Sequence, residues 1–342
     1  MEKNKTIQFL GFGEFLVLMK KSVKEAVGAG YNVEINHVIK NNSIELDGLV
    51  VLKDKECITP NIYMNSYYEK YLAGEPVKQM VEDIIRIYKR SREDSERNGL
   101  HIRYELDEMK SCIIFRLINY DRNRKLLMDV PYIQFMDLAV TFHCLVKNNE
   151  KGIGTIRITN EHVRNWKVDI GYLKEIARVN TPMLFPPVIR NMNEILHEIL
   201  QGEGISSSLN YGETREFSAN SADIASYGSP SEGEDFYPVM PDRAESAKTN
   251  TMYVITNAKG INGASCLLYP AVIKNLALKL DSDLYILPSS IHEIIAVKAN
   301  GTMNKKAFRE MVFDVNRTQV PEEDILSDNV YFYSRDRDAI TL

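Results

Sequence analysis

At 342 residues and 44% apolar content, the chain is long enough to bury one large core or two modest ones. Its formal charge of −5 is concentrated: nine acidic and three basic side chains lie between Glu203 and Thr249, leaving 39 basic and 38 acidic groups elsewhere. A body so nearly neutral lacks the broad positive field that drives binding to a phosphate backbone, so nucleic acid is not an expected partner.

The opening MEKNKTIQFLGFGEFLVLMKK is too short for a membrane span, is interrupted by Glu14 and has no small-residue cleavage site. No membrane contact and a cytoplasmic location are therefore expected. A first helix is predicted over Glu14–Val27, ended by Gly28 and Gly30. Alternation of Val33, Ile35, His37 and Ile39 with polar neighbours, a turn at Asn41-Asn42, and a return over Ile44–Leu52 predict a hairpin. His37 falls on its apolar face and reads as a core histidine. A strand at Ile58–Met64 and a short helix at Ser66–Leu72 follow. Val77, Met80, Val81, Ile84 and Tyr88 then mark the most regular helical stripe in the chain.

The middle is strand-rich. Ser111–Ile118 alternates as a half-buried strand, Asp121–Leu127 reads as a short helix, and Tyr132–Val146 as one long strand bent near Met136-Asp137. Gly154–Ile158 runs into a helix capped by Thr159 or Asn160, and helices are predicted at Ile170–Val179 and Met192–Gln201. From 202 to 250 the chain is acidic and rich in Ser and Gly, with no apolar period, and is expected to be a disordered linker. Beyond it, Met252–Thr256, Leu284–Leu287, Ile291–Val297 and Val330–Tyr333 read as strands. Ala271–Leu280 and a segment near Lys305–Val315 read as helices. The expected class is α+β, with an N-terminal unit over 1–150 and a C-terminal unit over 151–201 plus 251–342. The linker at 202–250 is inserted in the second.

Complete catalytic signatures are lacking. His197-Glu198 and His292-Glu293 open a zinc-hydrolase pattern, but Gln201 and Ala296 stand where the second histidine is needed, so no metal site is expected. Cys57, Cys112, Cys144 and Cys266 form no CxxC pair, and three of them sit in apolar strand-like runs and read as inert core thiols. No cofactor signature is present. Pro288-Ser289-Ser290 ahead of His292 lacks the glycines of a nucleophile elbow and reads as a polar hairpin tip.

In DLAVTFHCLV a continuous strand puts Asp137, Thr141 and His143 on one face, where the carboxylate could orient the imidazole as a general base. The plainer alternative is an Asp that caps the bend and a His bonded locally. Arg116 shares a strand face with Ile114 and Ile118; buried, it needs a carboxylate, or it clamps an anionic ligand. In the linker, Asp235-Phe236-Tyr237-Pro238-Val239-Met240-Pro241 has the acidic, aromatic and proline-spaced pattern of a peptide that docks in a groove; equally, the linker could lay Phe236 and Tyr237 on its own domain.

FRLINYDRN (Phe115–Asn123), FMDLAV (Phe135–Val140), ITNEHVRNW (Ile158–Trp166) and LYILPSSIHEII (Leu284–Ile295) resemble an uncharacterised family of Gram-positive anaerobes, known only as a domain of unknown function. The ITN…W tract with Tyr253–Val297 also resembles a second unknown-function family of Gram-positive bacteria. The resemblance covers most of the chain outside the linker. It implies a bacterial cytoplasmic accessory protein of the kind carried on mobile elements, and carries over no catalytic residue or cofactor. The function expected is thus non-enzymatic, through contacts with a protein partner in which Phe236, Tyr237 and Pro238 take part. The rival is a hydrolase or nuclease-like enzyme centred on Arg116, Asp137 and His143. Oligomeric state is not set by the sequence.

Overall fold

The computed structural model describes residues 9–53, 60–97, 105–149, 152–200, 251–300 and 304–342. Helix α1 (Phe12–Val27) starts where Glu14 accepts from the Gly11 N–H, and buries Phe15, Met19 and Val23, spaced one helical turn apart. Strands β1 (Tyr31–Ile39) and β2 (Glu45–Lys53) form the expected hairpin, and β3 (Ile62–Tyr63) adds to β2. Helices α2 (Met64–Leu72) and α3 (Val77–Arg97) complete the layer. Phe15, Met19, Val33, Leu49, Met64, Tyr67, Met80 and Ile84 make its core. His37 is not in that core. Burial fades along β1, and the His37 ring lies exposed between Asp47 at 3.2 Å and Glu45 at 3.5 Å.

A short helix α4 (Leu106–Met109) leads into β4 (Ile113–Asn119), then α5 (Arg124–Leu127), β5 (Tyr132–Phe135), β6 (Leu138–Asn149) and β7 (Gly152–Arg157). These strands form one antiparallel sheet in which β4 lies along one edge of β6 and both β5 and β7 pair with β6. The bend expected at Met136-Asp137 is a full reversal. Phe135 pairs with Leu138, and Met136 takes the left-handed region at φ 55° to make a two-residue turn.

Thr159 caps α6 (Asn160–Trp166), and α7 (Ile170–Leu184), β8 (Pro187–Asn191) and α8 (Met192–Leu200) follow. Past the undescribed interval come β9 (Met252–Asn257), α9 (Val272–Lys279), β10 (Leu284–Leu287), β11 (Ile294–Lys298), α10 (Lys305–Thr318), β12 (Tyr331–Ser334) and β13 (Ala339–Thr341). They build a six-stranded sheet in the order β13-β12-β10-β11-β9-β8. The class is α+β, as the patterning implied. Because β8 and β9 are paired neighbours, with Pro187 opposite Asn257, residues 201–250 are inserted between adjacent strands of one sheet.

The largest apolar cluster joins the two later sheets. Ile113, Phe115, Leu117, Leu138, Val140 and Phe142 pack with Leu173, Ile255, Leu276, Ile286 and Tyr331. Residue 150, taken above as the boundary between units, falls between the paired strands β6 and β7, and this cluster draws on both sides of it. Among the described residues no helix is long and apolar enough to cross a membrane.

Candidate functional site

The period of two in β4 and β6 gives their sheet two unlike faces. Ile113, Phe115 and Leu117, with Leu138, Val140, Phe142 and Cys144, face the main core. Residues directly opposite in an antiparallel pair share a face. Ile114, Arg116 and Ile118 therefore point the other way together with His143, Thr141 and Ala139, their respective partners, and Arg157 of β7 lies opposite His143. This second face is apolar only at its ends. Ile114 and Leu145 cluster with Phe185 at one end, and Ile118 and Ala139 with Leu126 and Leu127 at the other. Arg116, Thr141, His143 and Arg157 occupy the band between.

The first unit and a C-terminal turn meet this band. Lys40 follows β1, with its Nζ 4.7 Å from the centre of the Tyr63 ring at the end of β3, a cation–π contact. The hairpin tip is fixed by Asn42, in the left-handed region at φ 56°. Its amide donates to the carbonyls of Glu322 and Ile325, both at 2.7 Å, and its Oδ1 and backbone N–H are bound by the amide of Asn123. Asn41 donates to the Glu323 carbonyl. Glu323, in the turn Glu322–Asp324, is the acid whose charge reaches both Lys40 and Tyr63.

The electrostatics of the recess follow from crowding like charges at low polarity. Burial, reinforced by the Arg157 charge, brings the Arg116 guanidinium down to about 10. Burial also lowers Arg157. Lys40 falls to about 8, first through burial and then through Arg157, with Glu323 opposing. His143 is buried and pushed well below the ordinary histidine value by desolvation and by Arg116 and Arg157, so the ring is neutral at pH 7. Its Nε2 lies 3.1 Å from the Thr141 hydroxyl. Among the described residues, neither Arg116 nor Arg157 has a carboxylate within ion-pairing distance or a hydrogen-bond acceptor. The structural ion pair open to Arg116 from the sequence is therefore not made among the described residues. Arg116, Arg157, Lys40 and Tyr63 are each half-buried, so each keeps some exposure to solvent. A narrow pocket beside Arg116, lined also by Ile114, Phe185, Asn257 and Asn262, has room for about one water.

Asp137 does not join this group. The reversal at Met136 takes it out of the strand that would have aligned it with His143, and its carboxylate is held by the C-terminal sheet. Tyr331 donates to one oxygen at 2.6 Å, and Ser327 and Asn329 to the other at 2.5 and 2.9 Å. The structure thus brings Arg116 and His143 together and removes Asp137. Reading the sequence missed Arg157, Lys40, Tyr63 and Glu323. A signal existed for Arg157, which alternates with Thr155 and Ile153 along GIGTIR.

The other candidates resolve into structural roles. Asn262 donates its backbone N–H to His292 Nδ1 at 3.2 Å, which leaves Nε2 to donate to Asp324 Oδ1 at 3.3 Å. The Ser290 hydroxyl accepts from the His292 backbone N–H, so the serine serves the turn. His197 lies exposed on α8. No cluster of three or more potential metal ligands occurs among the described residues. Phe236, Tyr237 and Pro238 lie outside the described residues, as does Cys57.

No curated protein and no solved structure shows significant similarity to the chain. A family model does, over residues 12–335, which span every element that builds the recess. The chain belongs to that family, a family of unknown function (DUF5688).

Proposed function

We propose that the protein is a bacterial cytoplasmic binding protein that captures an anionic ligand in the recess formed by Arg116, Arg157, Lys40 and Tyr63. One observation carries the reading: two guanidinium groups share a face of the β4–β7 sheet, partly desolvated, with no acid partner among the described residues. Charges so placed cost several kcal/mol each unless a counter-charge meets them, and about one bound anion supplies it. The free thiols Cys112, Cys144 and Cys266 support a reducing compartment.

An enzyme built on Arg116, Asp137 and His143 has less support, because the only carboxylate of that trio is bonded elsewhere. Action through a protein partner is compatible with the anion reading where the partner presents the anionic group. Native mass spectrometry of the full chain, purified gently and sprayed from volatile buffer, tests the proposal. The expected result is a stoichiometric small-mass adduct that disappears in Arg116→Met. A clean apo mass that stays unchanged after incubation with millimolar anions counts against it.

A further inference from the structure

Resting on that anion-site reading, we infer that the ligand group is a tetrahedral dianion of the phosphoryl class rather than a carboxylate. Two features of the recess point there. The first is charge. The two guanidinium groups, without an acid partner among the described residues, carry two positive charges, while Lys40 and Glu323 beside them have opposite signs. A monoanion leaves one desolvated guanidinium uncompensated, whereas a dianion matches the pair.

The second is direction. Arg116 stands on β4 opposite Thr141 and Arg157 on β7 opposite His143, on opposite sides of β6, so two strand spacings and a two-residue offset put their backbones roughly 12 Å apart. One guanidinium fork already satisfies a planar carboxylate through two parallel bonds. An anion that engages two forks approaching from either side needs oxygens in more than one plane, as a phosphoryl group has. Tyr63 adds a neutral donor, since burial raises its phenol and keeps it protonated. The class covers both a free phosphate ion and the terminal group of a monoester.

Titration calorimetry on the full chain tests this, with inorganic phosphate, phenyl phosphate, sulfate and acetate at matched ionic strength. Phosphate and sulfate are expected to bind, acetate about tenfold more weakly or worse, and both Arg116→Met and Arg157→Gln to weaken phosphate by roughly tenfold or more. The ratio of phenyl phosphate to inorganic phosphate separates an ester from the free ion, and binding of either supports the class. Acetate binding as tightly as phosphate overturns the dianion assignment and leaves the anion site standing. No binding by any probe, or phosphate binding indifferent to both substitutions, overturns both readings. Melting of each variant without ligand confirms that it is folded, and one folded variant suffices.

Discussion

Asp137 and Arg116 are within one sheet's width of each other in the fold, and the protein treats their charges in opposite ways. Asp137 is a carboxyl group held by neutral donors: two hydroxyls and an amide, from Tyr331, Ser327 and Asn329, bind its oxygens. Arg116 is a cation with no anionic partner among the described residues, on the opposite face of β4 from the main core and crowded by Arg157. A carboxylate can be satisfied by neutral donors, which proteins supply from hydroxyls and amides. A guanidinium has five donors and needs acceptors, and among the described residues the band around Arg116 offers Thr141 and a neutral His143 but no acid. The first arrangement holds the chain together. The second is costly to the unliganded protein and is the one to expect where something is bound.

Breaking the Asp137 side should have the largest effect. Asp137→Ala leaves three donors facing a gap, and we expect a loss of about 3–5 kcal/mol in urea unfolding. A change below about 1 kcal/mol would show that water replaces the carboxylate at no cost. On the Arg116 side the sign should reverse. Arg116→Met keeps the apolar stem beside Ile114 and Ile118 and removes the desolvated charge, so the unliganded protein should gain about 2 kcal/mol while losing its anion response. Destabilisation instead would mean that Arg116 already has a structural partner.

Lys40 sharpens the contrast through pH. A lysine whose native value is lowered to about 8 binds fewer protons folded than unfolded between there and the ordinary value of 10.5, so its contribution rises with pH across that window. Below pH 8 the full penalty applies. Lys40→Met should therefore be more stable than wild type by about 1–2 kcal/mol at pH 7, with the gap closing by pH 10.5, as melting of the two proteins in parallel buffers will show. Bound anion should hold Lys40 protonated, so ligand affinity should fall as pH rises past 8. The smallest effect belongs to His37. Its contacts with Asp47 and Glu45 are exposed, and His37→Ala should change stability by under about 0.5 kcal/mol.

What the sequence disclosed and what it withheld divide along a physical line. Alternation is a local property. It located Arg116 with Ile114 and Ile118 correctly, and the hairpin of β1 and β2 with its Asn41-Asn42 turn. Whether a strand continues or reverses depends on one backbone angle. Met136 at φ 55° is no glycine or asparagine and gives no warning of the turn that separates Asp137 from His143. The company Arg116 keeps is set by register. Arg157 reaches the position opposite His143 only because of an irregularity in the β6–β7 pairing between Leu145 and Lys147. Lys40, Tyr63 and Glu323 arrive from distant parts of the chain, and no short-range pattern links them. His37 shows the converse error: its alternation was real, but the covering layer ends before it.

The clasp at Asn42 has a kinetic consequence. Its amide binds carbonyls 280 and 283 residues further along the chain, a closure that must wait until nearly everything between has been organised. The three-stranded layer with its helices can assemble from near neighbours, and so can each later hairpin, but the recess exists only once these pieces dock. Ligand responsiveness should therefore appear as the last phase of refolding, after the bulk of the secondary structure has formed.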